Sequence, residues 1–239
     1  MFQKKSTDML EGSPLWSMVF FAMPMIIGNL FQQFYNMADS AIVGKFVSEN
    51  ALAAVGASYS LTNVFICIAI GGGVGASVLT SQYLGSREYR LMKTSVNTAL
   101  TSFFVISVIL AVFGAVASPA IMAWLRTPEN IFAEAVLYLR IYFIGLPFLF
   151  MYNVLASVFN ALGKSKIPLY FLIFSSILNV IMDLFMVIVM NLGVAGVALA
   201  TIIAQGISAV ISFLVLVRYL KGQPEQGLLF DGGMLVRMA

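Results

Sequence analysis

IPLYFLIFSSILNVIMDLFMVIVMNL, residues Ile167 to Leu192, carries a single charged side chain, Asp183, with Asn179 one helical turn before it. The run is long enough to cross about 30 Å of hydrocarbon as a helix. Its carboxylate and its amide then share one face. A charge at mid-bilayer costs about 2.5 to 3.5 kcal/mol on insertion scales, so such residues mark ion or substrate paths. This segment therefore predicts a membrane helix with a task beyond spanning.

The rest of the 239 residues agrees: 61% are hydrophobic and 10% charged, against roughly 25% charged in globular domains, and the mean hydropathy is +0.97. Apolar runs at Trp16 to Val43, Ala51 to Tyr83, Thr94 to Leu125, Ile131 to Leu162, Ile167 to Leu192 and Gly193 to Leu220 predict six spanning helices. Continuous apolar length excludes barrel strands, which alternate over about ten residues. The fold class is all-α and polytopic: residues 1–14 as an N-terminal segment, 15–221 as one six-helix lobe and 222–239 as the start of a linker. Lys4, Lys5, Arg87, Arg90, Lys93, Lys164, Lys166, Arg218 and Lys221 fall on one side, Lys45 and Arg126 on the other. The first side is expected to be cytoplasmic, with both ends of the chain there.

The formal charge of +3 is spread over loops rather than gathered in a stripe, which gives no reason to expect nucleic acid. With no histidine and one cysteine, Cys67, the chain lacks an imidazole base and cannot form an internal disulfide. No cofactor is expected. Gly71-Gly72-Gly73-Val74-Gly75 lies within an apolar span without a following P-loop lysine, so it reads as close helix packing.

Counting from the Leu192 turn puts Asp183 and Thr201 at equal depth, nine positions away on either side, or about 13 Å. Asp39 precedes Lys45 by six positions, about 9 Å of rise, and falls in the same half. Asp39, Asn179, Asp183 and Thr201 thus offer carboxylate, amide and hydroxyl oxygens, which suit a proton or a hard cation such as sodium. Repulsion between two poorly solvated carboxylates favours such uptake. On the first span, Asn29, Gln32, Gln33, Asn36, Asp39 and Ser40 form a polar stripe expected to face inward. Asn153 and Ser157, with Asn160, form a weaker stripe on the fourth span, open to two readings: cavity lining or hydrogen bonding between helices. Arg140 is expected at the interface, because Thr127-Pro128-Glu129 reads as a helix start outside the bilayer.

The run from Pro24 to Asp39, PMIIGNLFQQFYNMAD, continuing to Val43-Gly44-Lys45-Phe46, resembles the first helix of the MATE multidrug exporters. Gly71 to Gly85, Leu146-Pro147, Asn160 to Lys164, Asn179 to Asp183 and Gly193 to Ala198 add further matches. The resemblance looks closest to the DinF-like bacterial branch. It implies two six-helix lobes in the bacterial plasma membrane, exporting cationic amphipathic compounds in exchange for protons or sodium. It also implies that Asp39, Asn179, Asp183 and Thr201 are the cation site of the N-terminal lobe, and that the C-terminal lobe is absent from this chain. The bilayer and small cationic substrates are then the expected partners. A lipid-linked saccharide flippase, a membrane-embedded enzyme using two aspartates as acid and base, and a non-transporting bundle remain alternatives.

Overall fold

A computed structural model describes residues 14–222 and 227–238; the expected N-terminal segment lies almost wholly outside them. The described residues are overwhelmingly helical: α1 (Pro14–Phe46), α2 (Glu49–Gly85), α3 (Tyr89–Trp124), α4 (Glu129–Ala161), α5 (Lys166–Leu184), α6 (Gly193–Lys221) and a short α7 (Gly232–Met238). Five of these, α2 to α6, are long and apolar enough to cross a membrane, α5 together with the turn that extends it. At 33 residues α1 has comparable length. The all-α membrane bundle expected from the apolar runs is the observed fold.

Why these helices belong in lipid is clearest in α5. Its buried residues are Ser175, Asn179 and Asp183, spaced four apart, whereas Phe174, Ile177 and Ile181 are exposed. Polar groups inside and hydrocarbon outside is the reverse of a water-soluble helix, and only an apolar solvent makes it favourable.

Inside the bundle α4 is the hub, packed against α2, α3 and α6, while α1 rests mainly on α5. Phe143, Leu146 and Phe150 of α4 anchor the middle of the core, where Phe65 of α2 meets Phe143 edge-on at 5.1 Å. The glycine run of α2 is a set of landing sites. A Cβ at Gly72 would lie 2.0 Å from the Phe103 ring of α3, and one at Gly73 2.5 Å from Ser157 Oγ of α4. The packing expectation holds for Gly72 and Gly73, which let α2 take neighbours at backbone distance, but not for Gly71, beside which nothing lies within 4 Å.

Three of the tight connections are the same motif. After α2, Arg87 N–H donates to Leu84 O and Glu88 N–H to Tyr83 O; Arg126 and Thr127 repeat this after α3, Gly163 and Lys164 after α4. This paired pattern caps the last carbonyls and needs a left-handed residue. Arg87, Arg126 and Gly163 fill that place at φ 62°, 54° and 72°.

Two features depart from six plain spans. Beyond Asp183 the fifth span widens into a π turn, Phe185–Val189, with Met190 N–H donating to Phe185 O at 3.1 Å. Consecutive Met186 and Val187 are both buried, Val187 with Val194 and Val197 of α6 and Met186 beside Gly196. The other departure is the segment expected to begin a linker. Residues 227–238 dock back on the lobe, and Met234 and Met238 of α7 join the core formed by Leu79, Met92, Val96, Leu155 and Leu216.

In α3, Pro119 has no N–H to give to the carbonyl four residues back. That carbonyl, Ala115 O, accepts instead from Arg140 Nε at 3.2 Å. Arg140 is exposed on the bundle surface rather than enclosed by the helices, and its hydrogen bond ties α4 to the proline break in α3.

Candidate functional site

Asn179 and Asp183 point from α5 into the bundle, where Asn179 is 1% and Asp183 0% exposed. Asn179 Nδ2 donates to Thr201 Oγ1 of α6 at 3.2 Å, and Thr201 in turn donates to Val197 O at 3.1 Å. From α1, half-buried Asp39 comes close enough to Asp183 for each carboxylate to act on the other. The four residues singled out from sequence are thus together, on three helices.

Four oxygens of this group are buried with no protein donor: Asp39 Oδ1, Asn179 Oδ1 and both Asp183 Oδ atoms. Such orphaned acceptors are expensive in a dry interior unless something donates to or coordinates them. All are hard oxygen donors, which fits a proton or an alkali cation and not a thiolate-seeking metal. Among the described residues no three His, Cys, Asp or Glu side chains gather as a metal cluster. The set offers carboxylate, amide and hydroxyl oxygens only.

Two tyrosines that sequence reading passed over complete the surroundings. Tyr35 lies one turn before Asp39 on α1, half-buried and within reach of Thr201. Tyr138 of α4 stands beside both Asp39 and Asp183, with Tyr142 stacked next to it at 6.5 Å. The four-residue spacing of Tyr35 and Asp39 was a usable signal; Tyr138 had none, because an aromatic among apolar neighbours reads as core.

The polar stripe of α1 divides. Asn36 is half-buried like Asp39, whereas Asn29, Gln32, Gln33 and Ser40 are exposed, so the stripe does not face inward along its length. The physical reason is that α1 leans on α5 and scarcely on α2, leaving most of its circumference uncovered. Ser40 satisfies itself on Asn36 O at 3.0 Å. Asn153 donates to Leu149 O of its own helix at 2.8 Å, and Ser157 sits over Gly73 in the α2–α4 seam.

An open groove of about 320 Å³ runs between α1 and α5, walled by Phe31, Phe34, Tyr35, Ala38, Ile177 and Ile181 on the outer side of α5, and of the residues around the acids only Tyr35 lines it. A larger depression, about 390 Å³, lies around Leu61 and Arg126; like the groove, it is lined by none of Asp39, Asn179, Asp183 and Thr201. Tyr35 is the one residue that links the first of these to the acids.

A bundle of bilayer-length helices enclosing a paired-acid site is the architecture of a membrane transport protein. Residues 24–185 match the MatE family model, and the chain belongs to that family. It is 34% identical over 224 residues to the probable multidrug resistance protein YoeA of Bacillus subtilis, covering 92% of this chain and 46% of that protein. To the probable multidrug resistance protein YpnP of the same organism it is 30% identical over 215 residues, 90% of this chain and 48% of that one. Among solved structures, a MOP superfamily transporter from Pyrococcus furiosus, described as having reverse polarity of its binding pocket, superimposes with a TM-score of 0.87 over 98% of this chain and 53% of its own, at 22% identity. An outward-facing multidrug resistance MATE family transporter gives 0.83 with the same identity and coverage. The chain thus spans about half the length of the relatives it matches. The family is one of transporters, which removes the enzyme reading.

Proposed function

We propose that this chain is the ion-binding lobe of a cation-coupled exporter of cationic, amphipathic compounds. The observation that carries the reading is the group of buried, unpartnered oxygens on Asp39, Asn179 and Asp183, with Thr201 fixing the amide. A proton or sodium ion supplies what they lack. The 320 Å³ groove between α1 and α5, joined to the acids through Tyr35, offers aromatic and aliphatic walls for the apolar part of a cargo whose charge competes for those acids. Asn29, Gln32, Gln33, Asn36 and Ser40 then present hydrogen-bonding groups along the open face of α1. Multidrug resistance in the names of the Bacillus relatives supports this cargo class.

In this mechanism ion uptake from outside neutralises the pair, releases the drug and lets α1 repack as the lobes rock. The end of the bundle with Lys164, Lys166, Arg218 and Lys221 is cytoplasmic, following the distribution of basic residues, and the membrane is the bacterial plasma membrane. A saccharide-lipid flippase would handle anionic cargo and call for a cationic cavity; the acid pair disfavours it.

Asp39→Asn and Asp183→Asn in the full-length protein should each abolish efflux of a cationic dye at normal expression. Unchanged efflux in either variant would overturn the assignment. Imposing a sodium gradient and a proton gradient separately on proteoliposomes identifies the coupling ion.

A further inference from the structure

The docked segment after α6 has two unlike sides. One is locked into the lobe by residues of α3: Leu228 N–H donates to Thr94 Oγ1 at 3.0 Å, Asn97 Nδ2 to Leu228 O at 3.0 Å, and Asp231 N–H to Thr98 Oγ1 at 3.0 Å. Asp231 Oδ1 then receives Gly233 N–H and Met234 N–H at 2.8 and 3.1 Å and starts α7. The helix ends against α2, where a Cβ on Gly75 would lie 2.0 Å from Met238 O. Met234 and Met238 are 5% and 6% exposed on this side; on the other, Leu229, Phe230 and Val236 are 80%, 50% and 77% exposed.

The depth of this seat follows from helix length. Gly75 is eight residues from Cys67, the midpoint of α2, or about 12 Å along the axis. Thr98 and Thr94 lie about 13 and 19 Å from the midpoint of α3. Hydrocarbon ends about 15 Å from the bilayer centre, so the segment lies along the boundary between acyl chains and headgroups. Water would make three large exposed apolar side chains a cost, but at that boundary they are in their preferred solvent. Exposed Arg237 on α7, and Lys166, Arg218 and Lys221 at the same end, match anionic headgroups in charge.

We propose that residues 227–238 are a membrane-interface strap: Met234 and Met238 pin it between α2 and α3, and Leu229, Phe230 and Val236 bury into the lipid of the adjoining leaflet. From the preceding reading it takes only the name of that leaflet, the cytoplasmic one. Transport plays no part in the test, so the two readings fail separately.

The test uses the full chain carrying Trp16→Phe and Trp124→Phe, in phosphatidylglycerol and phosphatidylcholine vesicles whose acyl chains are brominated either near the headgroup or near the methyl end. In this background Val236→Trp and, separately, Leu229→Trp should lose most of their emission to the shallow bromines, less to the deep ones and little to aqueous iodide. Stronger quenching by iodide puts these side chains in water. Quenching by neither reagent puts them against protein, a second copy included. Either result overturns the proposal. Gly75→Leu, whose side chain displaces the Met238 carbonyl, should shift Val236→Trp emission to the red and flatten its depth profile; an unchanged profile would show that the lobe does not seat the strap.

Discussion

At the scale of single residues, Pro119 and Arg140 form a unit that neither explains alone. Pro119 frees the Ala115 carbonyl and Arg140 claims it. A hydrogen bond to a charged donor is worth about 1.5 to 3 kcal/mol, less where water can compete. Arg140→Ala is therefore expected to destabilise the solubilised protein by about 1 kcal/mol, read as a lower midpoint in detergent-driven unfolding. Pro119→Ala restores an N–H for the same carbonyl, so Arg140→Ala should cost less in that background. Additive losses in this double-mutant cycle would dissolve the pair. Position 164 shows a cation used differently: Lys164 Nζ sits 3.6 Å from the centre of the Tyr219 ring, tying the α4–α5 turn to α6, and burial there lowers the pKa of its ammonium. A buried acid pair, a proline's lost donor and a ring-bound lysine are each a polar problem with a different partner.

At the scale of elements, the caps allow a clean comparison. Gly163 occupies its left-handed position without strain, whereas Arg87 adopts the same geometry with a side chain. Gly163→Ala should then cost about 1 kcal/mol. Arg87→Gly should be neutral or stabilising by up to about 1 kcal/mol, after the added freedom of glycine in the unfolded chain is subtracted. Thermal unfolding of both variants side by side checks the sign; a larger loss for Arg87→Gly would reject the argument. How much could be read in advance differs by element for physical reasons. Spanning helices announce themselves because continuous apolar length is a local property, and Asp183 with Asn179 announces itself because four residues make one turn. The π turn after Leu184 is set by how α6 packs on Met186 and Val187, which no local pattern encodes. Docking of residues 227–238 depends on Thr94, Asn97 and Thr98, more than 130 positions away in the chain. Tyr138 was hidden because an aromatic in an apolar helix looks the same whether it faces lipid, core or carboxylate.

At the scale of the whole molecule, the lobe leaves a long apolar surface on α1 and α2, with Ile26, Leu30, Phe34 and Met37 on one helix and Tyr59, Val64 and Ile68 on the other, all exposed. α1 and α2 scarcely touch each other, so the face between them is open rather than a finished wall. Alternating access by rocking requires two bodies moving about a site between them, and this chain covers 46% and 48% of its two Bacillus relatives. Binding and transport should therefore come apart. Asp39, Asn179, Asp183 and Thr201 are all supplied by helices of this lobe, so the purified 239-residue chain is expected to bind its ion, seen as protection against thermal unfolding that Asp183→Asn removes. Reconstituted in vesicles under sodium or proton gradients, the same chain should move a cationic dye no faster than the Asp39→Asn/Asp183→Asn double variant. Gradient-driven uptake above that baseline would mean that one lobe, or two copies of it meeting across α1 and α2, suffices for transport, and the division of labour argued from the acid pair would have to be abandoned.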